Sequence, residues 1–169
     1  MDDVAREPPA IVWPVRPTQY RVDSFLSGRL FLDHDPMVGM GARLGADPRR
    51  SVAWTLDALA ERSFGERFVS ALSLGGNVSG VRRFGANVLR SGVGVRGGMA
   101  KVASDTASAS IPHLFIAPTL TSNVTWAIGS FVFEMGSEIG WAFTSKAARD
   151  PGFSGLYLGL TLGAGIDFK

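Results

Sequence analysis

From Leu156 to Phe168 the chain alternates without a slip. Leu156, Leu158, Leu160, Leu162, Ala164, Ile166 and Phe168 share one parity, and Tyr157, Gly159, Thr161, Gly163, Gly165 and Asp167 fill the other. Successive side chains of a strand point to opposite faces, so this pattern specifies one apolar face and one small or polar face. Length constrains the fold further than regularity does. Strands of globular proteins usually run about 5–6 residues, whereas a strand crossing a bilayer at a tilt needs roughly 9–11. A stretch this long, with an aromatic at its end, suggests a strand of a membrane barrel.

The same alternation, broken by turn-forming clusters, divides the region from Tyr20 onward into eight strands. Val22, Leu26, Leu30 and Leu32 oppose Asp23, Ser27 and Arg29, and Asp33-His34-Asp35-Pro36 then turns the chain. Val38, Met40, Ala42, Leu44 and Ala46 follow, up to a turn at Asp47-Pro48-Arg49-Arg50. Val52, Trp54, Leu56 and Ala58 oppose Thr55, Asp57 and Glu61; Phe68, Leu72 and Leu74 oppose Arg67, Ala71 and Ser73. Ser79 to Gly85 reads as a turn into Leu89, Val93, Val95 and Met99, which oppose Arg90 and Arg96. The later strands carry Leu114 to Ile128, Phe131 to Phe143 and Leu156 to Phe168. Pro118 lacks an N–H and is expected where the ladder tolerates that loss, at a bulge. Asp57 to Arg67 is rich in helix formers, so a helix competes with a hairpin there; Gly65 favours the hairpin.

Alternation alone does not say which face is outside. An eight-stranded barrel is only wide enough inside to be filled by side chains. Phe131, Phe133, Trp126, Trp141 and the Leu156 row would overfill it, while Gly, Thr, Ser and a few charges would not. A water-facing exterior of Gly and Thr with few charges would also be atypical. The apolar parity is therefore assigned to lipid. This turns Arg29, Arg43, Arg90 and Arg96 into the lumen with Asp57, Glu61, Glu134 and Glu138. Opposite charges brought together there can satisfy one another. The expected architecture is all-β: a closed antiparallel up-and-down eight-stranded transmembrane β-barrel with a charged, plugged lumen. Glu134 or Glu138 is expected to meet Arg90 or Arg96. Trp54, Trp126, Trp141, Tyr157 and Phe168 are candidates for the aromatic girdles at the two membrane surfaces.

Residues 1–19, with Pro8, Pro9, Pro14 and Pro17, read as a disordered linker, and residues 20–169 as the barrel. Met1-Asp2-Asp3 does not open like a signal peptide. Export therefore implies a signal, or a further domain, upstream. No run of about 18 apolar residues exists that would make a membrane helix. A net charge of +2 without a basic block gives no reason to expect a nucleic-acid partner, and zero Cys excludes disulfides and thiol chemistry. Asp47-Pro48-Arg49-Arg50 and Gly129-Ser130 are short, as periplasmic turns are, whereas Ser104 to Pro112 and Ser145 to Ser154 are longer and belong at the opposite end.

In these features the chain resembles the small eight-stranded outer-membrane β-barrels of the OmpA/OmpX-like class, over roughly residues 20–168. The resemblance implies a bacterial outer-membrane location, outer-membrane lipids as surroundings and a monomer. It also implies insertion by the barrel-assembly machinery, which reads a terminal aromatic strand; here Lys169 follows Phe168.

No residue cluster signals catalysis or a cofactor. His34, between two aspartates, fits a solvated turn better than a cation site. His113 sits at the expected lumen mouth, where a lipid A deacylase-like enzyme would place a histidine. Those enzymes carry a serine two residues along, and residue 115 here is Phe. Glu134 and Glu138 stand roughly 13 Å apart along a strand, beyond glycosidase spacing. The expectation is a non-enzymatic barrel with surface loops free for contacts. A barrel-embedded lipid-modifying enzyme and a soluble lipocalin-like lipid carrier are the alternatives.

Overall fold

The computed structural model describes residues 19–49, 51–64, 68–85, 87–103, 112–145 and 154–168. The proposed linker, including Trp13, lies outside them save for Gln19; so do Lys169, Gly65 to Arg67, and nearly all of the two long connections. Eight strands follow one another: β1 (Gln19–Phe31), β2 (Met37–Arg49), β3 (Val52–Ser63), β4 (Phe68–Phe84), β5 (Asn87–Ala103), β6 (Pro112–Ile128), β7 (Phe131–Thr144) and β8 (Gly155–Phe168). Each pairs antiparallel with the next, and β1 pairs with β8 to close the barrel. Closure leaves no sheet edge, so every strand finds ladder partners on both sides.

Alternation builds these strands as expected. Along β1, Arg21, Asp23, Phe25, Ser27, Arg29 and Phe31 are buried while Val22, Leu26 and Leu30 are exposed. From Tyr20 to Leu30 a strand tilted at about 40° rises roughly 25 Å along the barrel axis, the height of an outer-membrane apolar band. The start of β1, the end of β8 and the reversals from β2 to β3, β4 to β5 and β6 to β7 share one end of the barrel, the terminus end. The other four connections form the loop end.

Three expectations need correction: the turns at Ser79 to Phe84 and at Asp47, and the bulge at Pro118. Ser79 to Phe84 continues β4 rather than turning, and the chain reverses between Phe84 and Asn87, which pair directly. Gly85, at φ +61°, makes this tight reversal possible, as Gly129, at φ +65°, does between β6 and β7. Ser79 to Phe84 is rich in turn residues, but pairing with β5 outweighs that local preference. The competing helix is absent: Asp57 to Ser63 is strand, paired to both β2 and β4. Asp47 likewise belongs to β2 rather than to a turn. Pro118 sits in a regular stretch, not at a bulge. The β6–β7 pairs pass from Ile116↔Phe143 to Thr119↔Gly140 with unchanged register, leaving out the position where proline has no N–H to donate.

Candidate functional site

Among the described residues, charge is concentrated in the barrel interior, and it is built in layers. At the terminus end Glu134 is the hub. Its carboxylate accepts Arg21 Nη2 at 2.7 Å and is also paired with Arg43. Arg21 Nε lies 3.0 Å from Asp23. Thr125 Oγ1 links these groups: it accepts Arg90 Nη1 at 2.6 Å and Arg21 Nη1 at 3.2 Å and donates to Glu134 at 3.4 Å. Arg90 Nη2 completes the layer at 3.0 Å from Asp47.

Nearer the loop end, Glu138 is the second hub. It accepts Arg29 Nη2 at 3.1 Å and the Tyr157 hydroxyl at 2.7 Å, with Arg96 Nη2 at 3.7 Å. Arg29 also binds Glu61 at 2.8 Å, and Arg96 binds Asp57 at 2.6 Å. The Arg29 guanidinium carbon lies 4.9 Å from the centroid of the Tyr157 ring, in cation–π contact. Above this layer Phe31, Met37, Val69, Ala71, Ala100, Phe115, Ala117, Ala142 and Tyr157 form a buried apolar cap. Between the charged layers is a void of about 30 Å³, lined by Thr55, Thr119, Thr121 and Asn123 among others. That is room for one or two waters, not for a channel or an acyl chain. An apolar calyx of the lipocalin kind is therefore not what this lumen offers.

The structure brings together all eight residues assigned to the lumen. Arg29, Arg43, Glu61, Arg90, Arg96 and Glu134 are buried, and Asp57 and Glu138 half-buried. The partners differ from expectation in one respect: Arg96 meets Glu138, but Glu134 pairs with Arg21 and Arg43, while Arg90 turns to Asp47. Arg21, Asp47, Thr125 and Tyr157 are members that the sequence reading leaves out. Parity places Arg21 with Arg29, so its position is readable; Asp47 is hidden by the Pro-containing cluster after it.

Tyr157 corrects the girdle assignment. It is 1% exposed, faces inward, and pairs with Gly140 on β7. A Cβ at Gly140 would stand 2.5 Å from the ring and hydroxyl of Tyr157, so glycine there is what admits the tyrosine. Gly140→Ala is expected to lower stability by about 1–3 kcal/mol, the usual range for overpacking, read as an earlier urea midpoint in detergent. Gly159→Ala, whose Cβ would meet nothing nearer than 3.4 Å, should change little. The other girdle candidates face outward. Trp54, Trp126 and Phe168 stand toward the terminus end, where Phe168 stacks on Tyr20 at 5.9 Å, and Trp141 stands toward the loop end beside Phe143.

His113 heads β6 opposite Ala100, and inward-facing Phe115 is buried two residues on. The serine of a deacylase-like pair is therefore absent from that place. His34 Nε2 lies 3.4 Å from Ser154 Oγ. Among the described residues, no three His, Asp or Glu side chains gather as a metal site would require.

No protein-family model matches the sequence, and no curated protein is similar to it in sequence. Solved structures are similar in fold. Neisserial surface protein A matches with a TM-score of 0.64 at 11% identity, over 89% of this chain and 97% of that one. A major outer membrane protein from Thermus thermophilus gives 0.65 at 12% identity, over 90% and 100%. Ail, the attachment invasion locus protein of Yersinia pestis, gives 0.59 at 15% identity, over 89% and 97%. With its closed eight-stranded antiparallel wall, apolar outside and charged within, the chain has the fold of the small outer-membrane β-barrels.

Proposed function

We propose that this protein is a non-enzymatic integral barrel of a bacterial outer membrane, serving as an envelope component or as the anchor of an upstream domain. One observation carries this reading: the apolar parity is exposed while the charged parity is buried. Leu26, Leu30 and Leu160 are 61%, 62% and 67% exposed, whereas Arg29 is 2% exposed. In water such a surface would aggregate; in lipid it needs no cover. The filled lumen supports a structural role over a solute-conducting one. Under this reading the terminus end, with its tight reversals, faces the periplasm. The loop end faces outward, with its connections available for contacts. The barrel-insertion machinery would engage β8, and outer-membrane lipids would surround a monomer.

The test is refolding from urea into detergent micelles, compared on a gel before and after boiling, beside an aqueous control. A compact, heat-shifted band with β-rich circular dichroism in detergent only is expected. A monodisperse, folded protein in plain buffer would overturn the reading.

A further inference from the structure

Among the described residues, charge is scarce on the outer wall of the strands and has one sign. Among the strand residues with described side chains, the outward parity carries no Asp or Glu; its cations are Arg62, Arg82 and Lys101. Arg82 stands apart near the terminus end, opposite Leu89. The other two lie in one cross-strand row, which the strand tilt inclines so that Lys101 stands roughly 6 Å nearer the loop end than Arg62. Arg62 on β3 pairs with Ser70 on β4, and Ser70 pairs with Lys101 on β5, so the three form a row across adjacent strands. With strands about 4.8 Å apart, the two cationic Cα atoms are roughly 10 Å apart. All three side chains are exposed, and among the described residues neither cation has a carboxylate partner.

The surroundings of this row are amphipathic. On the loop side, the Arg62 guanidinium lies 4.9 Å from the centroid of the exposed Phe68 ring, which holds it against the wall. One step toward the terminus end, the outward row reads Ala60, Leu72, Met99 and Leu114, and the last three are about half exposed or more. A cationic row at the headgroup level, directly above an acyl-height apolar strip, complements an anionic amphiphile. Cations at the membrane surface attract phosphate-bearing lipids, and a guanidinium presents paired donors to phosphate oxygens.

We propose that Arg62, Ser70 and Lys101 form a binding site for an outer-leaflet glycolipid with a phosphorylated head. Its acyl chains would lie over Leu72, Met99 and Leu114. The proposal rests on the outer-membrane reading, with the loop end facing out.

The experiment uses native mass spectrometry of the folded protein in zwitterionic detergent. The probe is a hexa-acylated, bis-phosphorylated glucosamine disaccharide, and its fully dephosphorylated form is the comparison. Wild-type protein is expected to retain the phosphorylated lipid at least tenfold better than the dephosphorylated one. The double variant R62Q/K101Q should lose that preference, while R82Q stays within twofold of wild type. Equal retention of both lipids by wild type would overturn the site without recourse to any variant. Unchanged retention by R62Q/K101Q, or an equal loss in R82Q, would overturn it as well. The heat-shift gel is run on each sample: a wild type without a shift defeats the membrane-barrel reading itself, whereas a shift with indifferent lipid retention defeats only the site.

Discussion

Replacing Glu134 by glutamine is expected to destabilise the folded barrel by about 3–5 kcal/mol, the cost of breaking a buried ion pair from one side. Glu134 is the shared acceptor of Arg21, at 2.7 Å, and of Arg43. Arg21 retains Asp23 at 3.0 Å, while Arg43 loses its direct ion pair and keeps the Phe25 ring, 4.6 Å from its guanidinium carbon, and the fields of its cross-strand neighbours Asp23 and Asp57. Two guanidiniums desolvated inside the wall would then share one fewer anion. The size of the effect reflects stranded charge rather than the net worth of the pair. The double variant E134Q/R43Q should therefore recover part of the loss. Urea unfolding in detergent, followed by the heat-shift gel, measures the single variants and the double. A Glu134→Gln midpoint equal to wild type would show that water reaches this layer and that the lumen is not a closed plug.

Leu26→Arg should cost about 2–4 kcal/mol in a bilayer, the range for a cation on the lipid face at mid-depth. Leu26 lies near the middle of β1, flanked in register by Met40 and Leu162, and the three are 61%, 68% and 60% exposed. No anion faces it on this wall among the described residues. In the companion Leu30→Arg, four residues nearer the loop end, the side chain can reach the headgroups, and the cost should be no more than about 1 kcal/mol. Unfolding of both variants in lipid vesicles gives the comparison. Equal penalties at the two depths would contradict the assignment of the apolar parity to lipid, because water has no depth.

Local pattern carries far in this protein because strand parity is a covalent property of an extended chain. Once Leu158 and Leu160 face one way, Tyr157 and Gly159 must face the other, whatever the neighbours are. The same logic places Arg29, Arg43, Arg90 and Arg96 on one wall with Asp57, Glu61, Glu134 and Glu138. It fails where residue type is allowed to override parity. Tyr157 resembles a girdle residue because it is aromatic and amphipathic, yet its parity points inward; its hydroxyl finds Glu138 at 2.7 Å in a space vacated at Gly140. Ser79 to Phe84 resembles a turn because of its small and charged residues, yet it extends β4. The apolar cap around Phe31, Phe115 and Val69 also escapes a reading that takes the inward parity as polar throughout.

By itself, then, the sequence determined the strands and their two faces, and side-chain volume decided which face an eight-stranded wall can enclose. Only the tertiary structure decided who meets whom inside. Arg21 and Thr125 are 104 residues apart in the chain, and Arg43 and Glu134 are 91 apart. Such partners are fixed by the register of each hairpin and by the closure of β1 on β8, which no local pattern encodes. Register likewise aligns Arg62, Ser70 and Lys101 in one row on the outer wall. Parity shows that each points outward; only the summed register of neighbouring strands sets them side by side.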